Sequence, residues 1–172
     1  GIVYQHQKCY EKAEPLLIQA LEMRERLHGS EHPDVALSLG SLGALFEVQE
    51  CYDKAEPILS RALDICKRCF GEKHLDVAQN LHTLGKLHKN LRNYDKAESL
   101  YLEALEIQQY FLGMVHDTVA TTLNNLAGLY SVQQRYPKAE SMYLQALEIK
   151  RQIFGDDNST IAIGLNNLAD LY

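Results

Sequence analysis

Apolar positions recur along this chain at helical spacing. Val35, Leu39, Leu42, Gly43 and Phe46 lay one small-or-apolar stripe down one side of a helix. Ala55, Leu59, Ala62, Leu63, Ile65 and Cys69 lay a second. A short polar turn, Gln49 to Tyr52, lies between them, and Gly71 stands where a helix stop favours glycine. Asp34 precedes the first stripe and is the predicted N-cap, since its side-chain oxygen can accept an orphan backbone N–H. Asp76, Thr118 and Thr160 occupy the same place further on. Asp53-Lys54-Ala55-Glu56 reads as a capping box for the second helix, and Asp95-Lys96-Ala97-Glu98 repeats it. Pro57 falls near enough to that helix start to be tolerated. With no strand signal, the pattern predicts antiparallel helix pairs and an all-α chain.

The pattern repeats. Lys-Ala-Glu occurs at 12–14, 54–56, 96–98 and 138–140, a period of 42 with no insertion or deletion. Gly29, Gly71, Gly113 and Gly155 keep the same step, as do Tyr10, Tyr52, Tyr94 and Tyr136. A constant period means stacked copies of one supersecondary unit, here about four. The expected organisation is a single array over 1–172: a partial first helix at 1–7, helix pairs near 34–70, 76–112 and 118–154, and an orphan last helix at 160–172. On that alignment the chain reads as a fragment of a longer protein. Small residues hold two columns, Gly43/Gly85/Ala127/Ala169 and Ala55/Ala97/Ala139, and mark where helix axes approach closely.

Leu123-x-x-Leu126-Ala127-x-x-Tyr130, Ala139-x-x-x-Tyr143 and Ala146 resemble the tetratricopeptide pattern. The usual unit has about 34 residues, so the surplus is expected in the second helix and the loop after it. The Leu-Asn-Asn-Leu-Ala runs at 123–127 and 165–169, Ala-Leu-Glu-Ile at 104–107 and 146–149, and Gly-x-x-His-Pro-Asp-Val-Ala at 29–36 look like kinesin light chain repeats. Nephrocystin-like and bacterial signalling repeat proteins carry similar units. The Asn-Asn pair is replaced by Gly40-Ser41 and His82-Thr83 in two repeats. The resemblance implies a right-handed α-solenoid, an interaction scaffold binding extended peptides in a concave groove, and a cargo-adaptor role. The competing implication is a regulatory array within a larger signalling or ciliary protein.

Composition narrows the classes. With 17 basic against 23 acidic residues the net charge is −6, which lacks the basic field of a nucleic-acid-binding domain. No apolar run approaches the roughly 18 residues of a membrane helix. Four cysteines are too few for a secreted disulfide scaffold of this length, so a reduced cytoplasmic compartment is expected. The resemblance adds a possible cytoskeletal association.

Catalytic chemistry is not expected. No phosphate-binding glycine loop, nucleophile elbow or zinc-protease motif occurs, and no cofactor or metal is implied. Cys66-x-x-Cys69 has metal-like spacing with His74 nearby, but a zinc site needs four ligands. In the repeat columns Cys69 aligns with Leu27, Phe111 and Ile153 and reads as core, whereas Cys66 aligns with Arg24, Gln108 and Lys150 and reads as exposed. His32, His74 and His116 form a column one repeat apart, which reads as turn residues rather than ligands of one ion.

What remains on the first helices forms a second stripe, and the resemblance makes it the peptide groove. It comprises Gly40, Ser41 and Ala44, then Gln79, His82, Thr83, Lys86 and Lys89. Thr121, Asn124, Asn125 and Gly128 follow, then Asn166 and Asn167. An Asn amide both donates to and accepts from a peptide backbone, and Gly40, Ala44 and Gly128 leave room for ligand side chains. His82, Lys86 and Lys89 lie on one face as a basic ladder. The expected partner is therefore a protein or peptide segment with acidic residues and an apolar anchor. Kinesin heavy chain is a further partner that the resemblance implies, through regions outside this sequence.

Overall fold

The computed structural model describes residues 2–156 and 158–172, with side chains from Tyr10 onward. The described residues form helices joined by turns, in the order α1 (Ile2–His28), α2 (Pro33–Val48), α3 (Tyr52–Phe70), α4 (Leu75–Asn90), α5 (Tyr94–Leu112), α6 (Asp117–Val132), α7 (Tyr136–Phe154) and α8 (Ser159–Ala169). They gather into two compact units, 1–87 and 88–172, which divide within α4. In the first unit α2 packs on α1 and α3; in the second α6 packs on α5 and α7, and α8 on α7. The first helix of each complete pair has 16 residues and the second 19.

The first repeat departs from the pattern. In place of a partial helix over 1–7, α1 runs unbroken from Ile2 to His28. Continuing a helix adds a hydrogen bond for each residue fixed.

The caps lie earlier than Asp34 and its column suggested. His32 is the N-cap of α2 and its Nδ1 accepts the Asp34 N–H at 3.2 Å. His74 does the same for Asp76 and His116 for Thr118, both at 3.2 Å. Asn158 takes that role for α8, its Oδ1 accepting the Thr160 N–H at 2.9 Å. The histidine column is thus the capping column, with Asp34 and Asp76 in the first helical turns, where a negative charge suits the helix dipole. Asp53-Lys-Ala-Glu56 is no capping box either: α3, α5 and α7 start from Cys51, Asn93 and Arg135, none with a side-chain cap bond. Pro57 consequently falls inside α3.

Each second helix ends on Gly71, Gly113 or Gly155, with φ of 75–82° and ψ of 174–177°. That region is open only to glycine. The turns inside the pairs use a different stop. Glu50, Arg92 and Gln134 adopt φ near 60°. The N–H that follows each reaches back to the Phe46, His88 and Tyr130 carbonyls at 2.8–2.9 Å. This is the Schellman closure, made here with a non-glycine left-handed residue.

The core follows the stripes. Val35, Leu39, Leu42 and Phe46 on α2 meet Ala55, Leu59, Ala62 and Ile65 on α3, all buried. Burying one Leu or Phe contributes roughly 1.5–3 kcal/mol. The small columns do mark close approach: a Cβ on Gly43 would stand 2.5 Å from Leu59. The cysteines, however, exchange their expected places. Cys66 is buried and Cys69 exposed. Helix phase does not separate the two, since at 100° per residue positions 66 and 69 lie equally far from the Ala55/Ala62 direction; Cys66 is instead covered by α4, whose Asn80 bonds its sulfur. The apolar residues aligned with Cys69 are themselves exposed, Leu27 at 71% and Phe111 at 47%, because they lie beyond the pairing helix.

The Lys-Ala-Glu signature is a packing device. Its Ala is fully buried in α3, α5 and α7. Its Lys lies over the aromatic ring of its own first helix, Lys54 over Phe46 and Lys138 over Tyr130. Its Glu bonds to a tyrosine of the next repeat: Glu98 accepts from Tyr130, near the end of α6, at 2.9 Å, and Glu140 from Tyr172, just past α8, at 2.6 Å.

Candidate functional site

In the first unit a cavity of about 430 Å³ opens between α2 and α4. Gly40, Ser41 and Ala44 line it from α2, with Gln79 and Thr83 from α4. Five expected groove residues therefore share one space. It is wide because α2 presents small residues there; the nearest atom to a Cβ on Gly40 would be Asn80 Oδ1, at 3.7 Å. Its polar groups are largely pre-arranged. Ser41 Oγ donates to the Leu37 carbonyl and Thr83 Oγ1 to the Gln79 carbonyl, at 3.0 and 2.9 Å. Asn80 Nδ2 donates to the Asp76 carbonyl at 2.8 Å and to Cys66 Sγ at 3.4 Å.

Asn80 and Cys66 belong to a contact that the column reading missed. Positions 24, 66 and 108 on second helices meet 38, 80 and 122 on the following first helices. Arg24 donates to Ser38, Asn80 to Cys66, and Thr122 to Gln108 at 2.8 Å. The signal was the polar character of both columns. Burial, with Asp76 and Cys69 adding, pushes the Cys66 thiol up to about 11. It is a neutral hydrogen-bonding group with little thiolate character at pH 7. Cys69 instead donates outward to the Glu31 carbonyl.

The basic ladder does not stand free. Lys86 Nζ binds Glu47 Oε2 at 2.8 Å, and that glutamate is only 6% exposed. Burial, together with the Lys86 charge, holds the His82 pKa below its ordinary value, so this imidazole is neutral at pH 7. An acidic ligand approaching Lys86 must therefore compete with Glu47.

The second unit holds a smaller cavity, about 150 Å³, between α6, α7 and α8. Thr121 and Asn124 line it beside Tyr143, Leu147, Ile163 and Gly164. Thr121 Oγ1 donates to the Asp117 carbonyl, and Asn167 Nδ2 donates to Asn124 Oδ1 at 2.9 Å, so two groove amides bind each other across α6 and α8. Asn125 is half-buried and Asn166 exposed; neither lines this cavity. Gly128 faces the ends of two long side chains: a Cβ there would stand 3.1 Å from Lys89 Nζ and 3.5 Å from the Tyr143 hydroxyl. Lys150 binds Asp117 instead of position 164, which is glycine.

Residues 1–50, 40–109 and 118–172 match the tetratricopeptide repeat family. The chain belongs to that family. Its helix pairs have the same fold as those of BtubC (BKLC) from P. vanneervenii, with a TM-score of 0.86, 29% identity, and coverage of 98% of this chain and 67% of that one. The nearly identical TPR-like repeats of a Podosopora anserina putative kinesin light chain superpose with a TM-score of 0.80 at 20% identity, over 98% of this chain and 80% of that one. No curated protein sequence matches the chain. The tetratricopeptide array is thus an all-α solenoid resembling kinesin light chain, of a type that serves protein–protein interaction. Among the described residues no helix is long and apolar enough to cross a membrane, and no group of three His, Cys, Asp or Glu side chains could hold a metal.

Proposed function

We propose that this tetratricopeptide array is a cytoplasmic adaptor that takes an extended segment of a cargo protein along its first helices, as a kinesin-light-chain-like scaffold. One observation carries the reading: Gly40, Ser41, Ala44, Gln79 and Thr83 line one open cavity whose floor is made of small side chains and whose walls carry hydrogen-bonding groups. Extended peptides need both, room for side chains and partners for backbone amides. The smaller cavity at Thr121 and Asn124 offers a second, more apolar contact in the other unit.

Site-specific photocrosslinking tests it. A benzophenone side chain at Ser41 or Thr83, both on the cavity, is expected to trap members of a random decapeptide library. The same group at Gln145, exposed on α7 and outside both cavities, is expected to trap none. Equal yields at all three positions would overturn the groove reading.

A further inference from the structure

The geometry points to a basic side chain, an arginine or lysine, as the group this first-unit groove selects from its peptide. The inference rests on the peptide-binding reading and reverses the charge expected from His82, Lys86 and Lys89.

The fixed hydroxyls and the Asn80 amide around the cavity show the ligand acceptors; the Cys66 thiol keeps a weak S–H donor. The Ser41 and Thr83 hydroxyls spend their only hydrogen on their own helix, which leaves lone pairs toward the cavity. Asn80 spends its amide hydrogens on Asp76 and Cys66, and its Oδ1 is the atom that faces Gly40. Gln79 is the one lining side chain whose amide could donate. No lysine or arginine lines the cavity, whereas Asp34 and Asp76 both do.

Those two carboxylates are not cancelled by their neighbours. His32 and His74 lie within 3.5–3.6 Å of them through Nδ1. Each Nδ1, however, accepts a backbone N–H and so carries no proton to give. His28 Nε2 stands 3.7 Å from Asp34, outside hydrogen-bond range. Arg24 bonds Ser38 and the Asp34 carbonyl rather than the Asp34 carboxylate. Both aspartates keep about half their surface in water, 51% and 60%. Two exposed carboxylates, two hydroxyl oxygens and one amide oxygen around 430 Å³ complement a group that only donates. Guanidinium, with five planar donors, uses more of them than ammonium does. The charge around the site agrees: residues 30–71 carry 4 basic and 7 acidic side chains, 4 − 7 = −3, whereas 114–155 carry 4 and 3, 4 − 3 = +1.

The probes are three fluorescein-labelled decapeptides of Ser and Ala with a single central Arg, Gln or Glu, titrated by anisotropy, with amide shifts read at Gly40, Ser41 and Thr83. The Arg peptide is expected to bind tightest and to shift those amides. Asp34→Asn with Asp76→Asn should weaken it about tenfold, the scale of two exposed ion pairs, without moving its order relative to the Gln peptide below unity. Added salt should weaken the Arg peptide alone. Because Asp76→Asn could loosen α4, each variant is checked by circular dichroism, and the peptide charge series needs no variant at all. Equal binding of all three peptides, or a preference for Glu, overturns the inference while the peptide reading stands. No shift at Gly40 or Thr83 with any of them, and no crosslink from Ser41, overturns both.

Discussion

The histidines at 32, 74 and 116 show how one atom sets a residue's role. A neutral imidazole accepts through one ring nitrogen, and here Nδ1 takes the N–H two residues on, as Asn158 does with its Oδ1. The fourth repeat thus supplies its own control. His116→Asn should leave stability within about 0.5 kcal/mol, whereas His116→Ala should cost roughly 0.5–2 kcal/mol, the range for losing a side-chain cap. Urea unfolding of the two variants decides between them; equal losses would mean that the imidazole acts by packing rather than as an acceptor. The spacing of these residues was plain in the sequence, but their function was not. Asp and Thr two positions later are stronger capping types, and only backbone geometry shows that α2 and α6 begin before them.

At the level of helix pairs, the 42-residue period, the helix pairs and the small columns were all legible, because each depends on local spacing. What was hidden depends on which helix comes next. Cys66 was read as exposed because its column is polar, yet that column meets a polar partner on the following first helix and is buried with it. The Glu of Lys-Ala-Glu fits a capping box within its own helix, and it is the next repeat's tyrosine that claims it. The groove residues divide the same way. That Gly40, Ser41 and Thr83 share a face is legible from their spacing, while the Glu47 partner of Lys86 and the Lys89 contact at Gly128 are not. The turns also carry a testable strain. Gln134 is exposed with φ of 59°, a conformation that costs a non-glycine residue about 1–2 kcal/mol. Glycine removes that cost but adds unfolded-chain entropy. Gln134→Gly should therefore raise stability by about 0.5–1 kcal/mol with both back-bonds, Gln134 N–H to Ser131 and Arg135 N–H to Tyr130, intact. A loss of stability on thermal unfolding would show that the turn is not strained.

For the molecule as a whole, the titrating groups with resolved shifts fall into two sets of opposite sign. On the acid side Glu98 stands out. Burial opposes its ionised form, but bonds from Arg135 and Tyr130 outweigh that and hold its pKa below the usual carboxylate range. Its contribution is present above pH 4.5 and is lost as pH falls through the lowered value. On the alkaline side Cys66 and Tyr130 are raised, by burial first, to about 11 and about 12, and Tyr52 and Tyr143 also move upward. A raised pKa adds stability that is complete below the unfolded value and is lost as pH climbs through the folded one. The loss therefore runs from pH 9 to about 11 for Cys66 and from pH 10 to about 12 for Tyr130, on the order of 2 kcal/mol each. Each ionisation would also set a new negative charge beside an existing carboxylate, Asp76 for the thiol and Glu98 for the phenol. Stability should be nearly flat from pH 6 to 8.5 and fall more steeply toward pH 11.5 than toward pH 4. Urea unfolding of the parent and of Cys66→Ala with Tyr130→Phe checks this. The double variant starts lower at pH 8, having lost packing and a hydrogen bond, but should lose less on going to pH 11.5. An alkaline limb equally steep in both would place the titration elsewhere than at these two buried groups.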